Sequence, residues 1–111
     1  MKIIGLLGVM TALAVQPALG QAALAQADGD PAAGQTRYAV NCISCHGRTG
    51  KGVAEFPSLI GRDHGYIANR LTQYRGKTEV GPNSAVMWSM AEELSDATIA
   101  DVAAYVSATF K

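Results

Sequence analysis

The chain has 111 residues, with nine Lys+Arg set against nine Asp+Glu. That length points to one domain. Balanced charge supplies neither a basic stripe for nucleic acid nor a strong pull toward anionic membranes, so neither is expected as a partner.

The chain opens "MKIIGLLGVMTALAVQPALGQAALAQADGD". Lys2 is a short positive region, an uncharged apolar run follows from Ile3 to Val15, and small residues come next, including Ala23 to Ala25. This is the layout of a secretory signal peptide. We expect residues 1–27 to be that signal, with cleavage after Ala25 or Ala27, and residues 28–111 to be the mature domain. Gln16 and Pro17 close the apolar run well short of the ~20 residues needed to span a bilayer, so no membrane span is expected in the mature chain. A domain of that size has a marginal core, and such domains often use a staple or a cofactor.

Three helices are predicted beyond this point. The first starts at "GDPAAGQTRYAVNC", where Asp30 can cap and Pro31 suits the first position. Ala33, Tyr38 and Val40 offer it apolar surface, while Gly34 is unfavourable there unless something packs close to the backbone. The second lies in "RDHGYIANRLTQYRGK": Tyr66, Ile67, Leu71 and Tyr74 recur at helical spacing, Arg70 and Arg75 read as solvent-facing, and Gly76 can end it. The third is "LSDATIADVAAYVSATFK", with Ser95 as N-cap, Asp96 in the first turn, and a stripe of Ile99, Val102, Ala103, Val106 and Phe110. "GRTGKGVAEFPSLIG" and "GKTEVGPNSAVMWSM" read as loops. No segment alternates as a strand does, so the fold class is all-α, three to five short helices with long loops. Loops of that length in so small a domain need something to wrap around.

Cys42 and Cys45 are the only cysteines, and His46 follows them. A disulfide closing so small a loop would restrain the unfolded chain little. A zinc site needs about four ligands, and beyond these three only His64 remains apart from carboxylates. A redox pair of the thioredoxin kind belongs in a βαβ setting, which is missing. Cys-x-x-Cys-His is instead the attachment pattern of a c-type haem. Residues three apart on a helical turn project to one side, so both thiols can reach the two vinyl groups of one porphyrin and form thioethers. His46 then supplies the proximal iron ligand, and a hydrogen bond from its other ring nitrogen would orient it. For a second axial ligand, methionine suits electron transfer. Met1 and Met10 lie in the signal, which leaves Met87 and Met90, both read as loop residues; core packing is the commoner role for methionine. His64 would give a bis-histidine haem.

With these residues in place, the sequence resembles the class I c-type cytochromes over essentially the whole mature chain. The resemblance rests on "CISCHG"; on Gly34 and Tyr38 before it, with Val102 and Tyr105 as their partners on the last helix; on "FPSLIG"; and on "MWSMAEELSDATIADVAAYV". It implies the cytochrome c fold wrapped around one covalently bound haem c. It implies that Gly34 lets the first helix cross the last at close range, that the Pro57 carbonyl accepts a hydrogen bond from His46, and that Leu59 packs on the haem. In short bacterial members the methionine ligand commonly lies eight residues before the Ser of "LSD". Met87 is eight before Ser95 and Met90 five, so Met87 is the expected distal ligand and Met90 the alternative. Trp88, Tyr66 and Arg62 read as packing or surface.

The resemblance is to single-domain members, to one half of two-haem periplasmic cytochromes, and to haem subunits of sulfide- or sulfite-oxidising dehydrogenases. It implies a periplasmic electron carrier rather than an enzyme, meeting redox proteins by transient docking at the haem edge. The alternatives are a fixed subunit of a dehydrogenase complex, or a haem sensor or enzyme with a labile sixth ligand.

Overall fold

The computed structural model describes residue 8 and residues 28–111. The predicted signal segment, residues 1–27, therefore lies outside the described residues apart from Gly8, as do Met1 and Met10. Five helices follow: α1 (Pro31–Asn41), α2 (Ile43–His46), α3 (His64–Arg75), α4 (Ser84–Ala91) and α5 (Asp96–Thr109), with no strand among the described residues.

Helix α1 begins where the sequence places it. The Asp30 side chain accepts the Ala32 N–H, Pro31 takes the first position, and the Asp30 N–H donates to Asp101 Oδ1 at 2.7 Å. The helix buries only Gly34 and Tyr38; Ala33 is exposed and Val40 is 74% exposed. The apolar face expected to include Ala33 and Val40 is not used, because α1 turns the row of Gly34 and Tyr38 toward α5 and leaves those two side chains outside. A Cβ on Gly34 would fall on the Asp101 carbonyl, so α1 and α5 touch backbone to backbone there. Tyr105 is the other neighbour of that Cβ position, and Val102, its partner in the expected pair on the last helix, is buried in the core. One turn on, the Tyr38 ring lies 5.4 Å from Tyr105 and 5.3 Å from Phe110, in the tilted arrangement that aromatic quadrupoles favour.

Asp63 caps α3 by accepting the Tyr66 N–H at 2.7 Å, and the helix turns Ile67 and Leu71 into the core. Ser95 caps α5 by accepting the Thr98 N–H at 3.1 Å, and Ile99, Val102, Ala103 and Val106 are buried along its length. The predicted stripe is the core: α5 packs against both α1 and α3.

Two elements differ from expectation. The segment holding Met87 and Met90 is helix α4, not loop. It lacks a side-chain N-cap. Its entry is built instead by Ser84, whose buried hydroxyl accepts the N–H groups of Val80 and Gly81, both at 2.9 Å, and folds the Gly81–Pro82 turn back on the helix. An eight-residue helix stabilised by such tertiary bonds leaves little periodicity to read. Arg75 is also not simply solvent-facing: its guanidinium donates to the Leu94 carbonyl at 2.9 Å and pairs with Asp96 at 2.6 Å, tying the end of α3 to the start of α5.

Candidate cofactor site

Helices α1 and α2 meet at Cys42, which ends one and precedes the other, so the Cys-x-x-Cys-His stretch is a single helical turn. Cys42 and Cys45 are both half-buried and neither is in a disulfide. Burial pushes the Cys42 thiol up to about 11. His46 is buried, at 7% exposure. Its Nδ1 makes a 2.9 Å hydrogen bond with the Pro57 carbonyl, which agrees with what the resemblance implied and leaves Nε2 as the free ring nitrogen.

The loop that carries Pro57 is tied to the same turn. Gly52 donates to the His46 carbonyl at 2.8 Å, and Leu59 donates to the Gly50 carbonyl at 2.7 Å. Gly52 has φ +79°, and a Cβ there would meet the Phe56 carbonyl, so the loop closes this tightly only with glycine. Tyr38 fastens the turn from behind, its hydroxyl donating to the Gly47 carbonyl at 2.6 Å; burial raises this phenol to about 12.

These residues face a mostly apolar cavity of about 460 Å³. Cys42, Cys45, His46, Pro57, Met87 and Met90 are among its lining. A second lobe of about 110 Å³ shares Cys42, His46, Pro57 and Met87 and adds Leu59. The combined space falls within the range of about 300–1,000 Å³ usual for cofactor pockets. Two unpaired thiols, a braced imidazole and a thioether around one apolar space are a donor set that fits haem c.

The two methionines are placed differently. Met87 is half-buried, packs against the core and lines both lobes. Met90 is 45% exposed and lines the larger lobe alone. His64 lines neither lobe: its Nε2 is engaged at 2.8 Å with the Asp28 carbonyl. The bis-histidine alternative therefore has no support from the position of this side chain.

One side chain at the cavity edge, that of Arg70, escaped the sequence reading. Arg70, read as solvent-facing, lies with its guanidinium carbon 5.2 Å from the Tyr66 ring centre, and Arg62 lies 4.5 Å from the same centre. Tyr66 and Arg70 line both lobes, and Arg62 the smaller one. The Arg70 hydrogen bond, aided by both positive charges, lowers the Tyr66 phenol below its ordinary value. The i, i+4 spacing of Tyr66 and Arg70 was the available signal. Trp88 lines neither lobe; its indole N–H donates to the Thr78 carbonyl at 3.0 Å.

A sequence profile of the family described as Cytochrome c matches residues 31–109. Cytochrome c-554(548) of Halomonas halodenitrificans is 42% identical over 80 residues, which is 71% of this chain and 95% of that one. The thiosulfate dehydrogenase electron acceptor of Thiomonas intermedia is 38% identical over 71 residues, 62% of this chain and 31% of that one. Among solved structures, Acidithiobacillus ferrooxidans cytochrome c4 superposes with a TM-score of 0.57 at 31% identity, covering 71% of this chain and 50% of that chain. The chain thus spans nearly all of the first relative but half or less of the other two.

Proposed function

Given that the chain belongs to the cytochrome c family and is a carrier of electrons on covalently bound haem c, we propose that it works in the periplasm with His46 and Met87 as the two axial ligands. In this reading Cys42 and Cys45 are the thioether anchors, the Pro57 carbonyl orients His46, and Leu59 packs beside the haem. The observation that carries it is the 2.9 Å bond from His46 to the Pro57 carbonyl, in the wall of the cavity that also takes both cysteines and Met87.

The haem supplies an iron that changes by one electron between its ferrous and ferric states. The chain does the rest. The Tyr38 hydroxyl and the Gly52 N–H grip the adjacent backbone carbonyls of Gly47 and His46, so the imidazole keeps its tilt when the charge changes. Apolar side chains such as Leu71, Leu94 and Val102 exclude water from the space, which disfavours the more charged state of the centre. A ligand on each side leaves no position for substrate, so the protein's task is to hold, insulate and tune. Partners would meet it at the haem edge beside the attachment turn, through the small interfaces typical of transient redox encounters.

The Met87→Ala variant tests the assignment. It should lose the red charge-transfer band of methionine-ligated ferric haem and show a large fall in reduction potential, while Met90→Ala keeps both. The opposite result would move the ligand to Met90. Ready carbon monoxide binding to the reduced wild-type protein would instead favour a sensor or enzyme with a labile sixth position.

The likeness to a thiosulfate dehydrogenase electron acceptor supports service to an oxidising dehydrogenase, and the second reading is that the protein gives it as a fixed subunit. Purification at low salt separates the two: a subunit comes down with its dehydrogenase, a free shuttle alone.

A further inference from the structure

Helix α4 carries Met87, and among the described helices α3 is the one against which it packs extensively. No side chain caps its start. Eight residues are too few for a helix to persist by local bonds alone, so its position depends on tertiary ties. Two of those ties run from the same place, the C-terminal end of α3 and the turn after it. The Trp88 indole N–H reaches the Thr78 carbonyl at 3.0 Å. The Arg75 guanidinium reaches the Leu94 carbonyl at 2.9 Å and Asp96 at 2.6 Å, beyond the far end of α4. Trp88 is the neighbour of Met87 in the chain, and Leu94 lines the larger cavity lobe, yet neither Trp88 nor Arg75 lines either lobe.

We propose that Trp88 and Arg75 are positioning residues for the distal ligand: two moorings that fasten α4 to the end of α3 and so hold the Met87 sulfur on the iron. This rests on the assignment of Met87 given above. The geometry explains why a polar indole sits outside the haem space and why an arginine spans the α4–α5 connection. Each mooring bonds to a backbone carbonyl, so each fixes the path of the chain on one side of Met87. The closed state, with methionine bound, competes with an open state in which α4 has swung from α3. A net hydrogen bond contributes about 0.5–1.5 kcal/mol, so loss of one mooring shifts that balance by up to about tenfold.

The test uses the haem-loaded protein and imidazole as a competing ligand for ferric iron. Trp88→Phe keeps the ring and removes the donor; Arg75→Met removes the guanidinium and keeps most of the stem; Arg75→Lys keeps the charge. We expect Trp88→Phe and Arg75→Met each to bind imidazole about two- to tenfold more tightly than wild type and to weaken the methionine charge-transfer band, with Arg75→Lys in between. Ile99→Val, a buried core change on α5 at a residue that lines neither lobe, serves as the control for general destabilisation. Imidazole affinity at the wild-type level in Trp88→Phe and Arg75→Met overturns the proposal. So does an equal rise in Ile99→Val at matched thermal stability, because the moorings would then be ordinary packing. Failure of the underlying assignment looks different: Met87→Ala would keep the methionine band.

Discussion

Gly34 is a residue whose effect on stability changes sign with its surroundings. On an isolated helix, alanine in its place would gain up to about 1 kcal/mol. Here the added Cβ meets the Asp101 carbonyl, and overpacking of that kind costs about 1–3 kcal/mol. Gly34→Ala should therefore lower the thermal midpoint of the haem-loaded protein; a rise would mean that α1 and α5 do not cross where described. Tyr38 gives a second prediction, this one in pH. Burial lifts its phenol from 10.0 to about 12, so the folded state holds the proton more tightly than the unfolded chain does. That contribution is fully present below pH 10.0 and is lost as pH rises through about 12. Tyr38→Phe lacks the titration. Denaturant melts should show wild type ahead by its Gly47 hydrogen bond at neutral pH, and the gap closing toward pH 12. A gap that stays constant with pH would show that this phenol does not titrate with folding.

At the scale of elements, helix starts are where sequence and structure agree best. Asp30 and Ser95 each accept a backbone N–H in the first turn of their helix as expected, and Asp63 does the same for α3, a cap that only the structure revealed. Ser95→Ala should cost about 1 kcal/mol in a denaturant melt. It should leave the haem spectrum unchanged, because the cap stabilises α5 and Ser95 does not itself line the cavity. Helix α4 shows the converse. Its residues Val86 and Met90 are exposed while Ala91 is fully buried, and its ties run to Val80, Gly81 and Thr78, outside its own span. A reader of local pattern sees Gly81, Pro82 and Asn83 and infers a loop.

On the scale of the whole molecule, the space the helices enclose matters as much as their contacts. A cavity of about 460 Å³ bordered by core residues such as Leu71, Leu94 and Val102 is large for a core this small. Without a group to fill it, those side chains would face water, and the remaining core is small. Cys42→Ala combined with Cys45→Ala should abolish covalent haem on a denaturing gel and markedly reduce helicity by circular dichroism. Full helicity without haem would show that the protein core alone suffices.

The sequence by itself determined the attachment turn at Cys42, Cys45 and His46, the three principal helices, the close approach at Gly34, and the family those features imply. All of these are local: a spacing, a cap, a stripe, or one glycine out of place. Only the tertiary structure decided what depends on distant partners. It added to the Ser95 spacing, which already favoured Met87, the placement of Met87 in the wall of both lobes and the exposure of Met90, three residues away on the same short helix. It drew His64 off to the Asp28 carbonyl, and turned Arg75 and Trp88 from surface residues into ties between α3 and the segment after it. The reason is physical: these roles are set by partners distant in the chain, a backbone carbonyl for His64, Arg75 and Trp88 and a shared cavity wall for Met87, which no local pattern encodes.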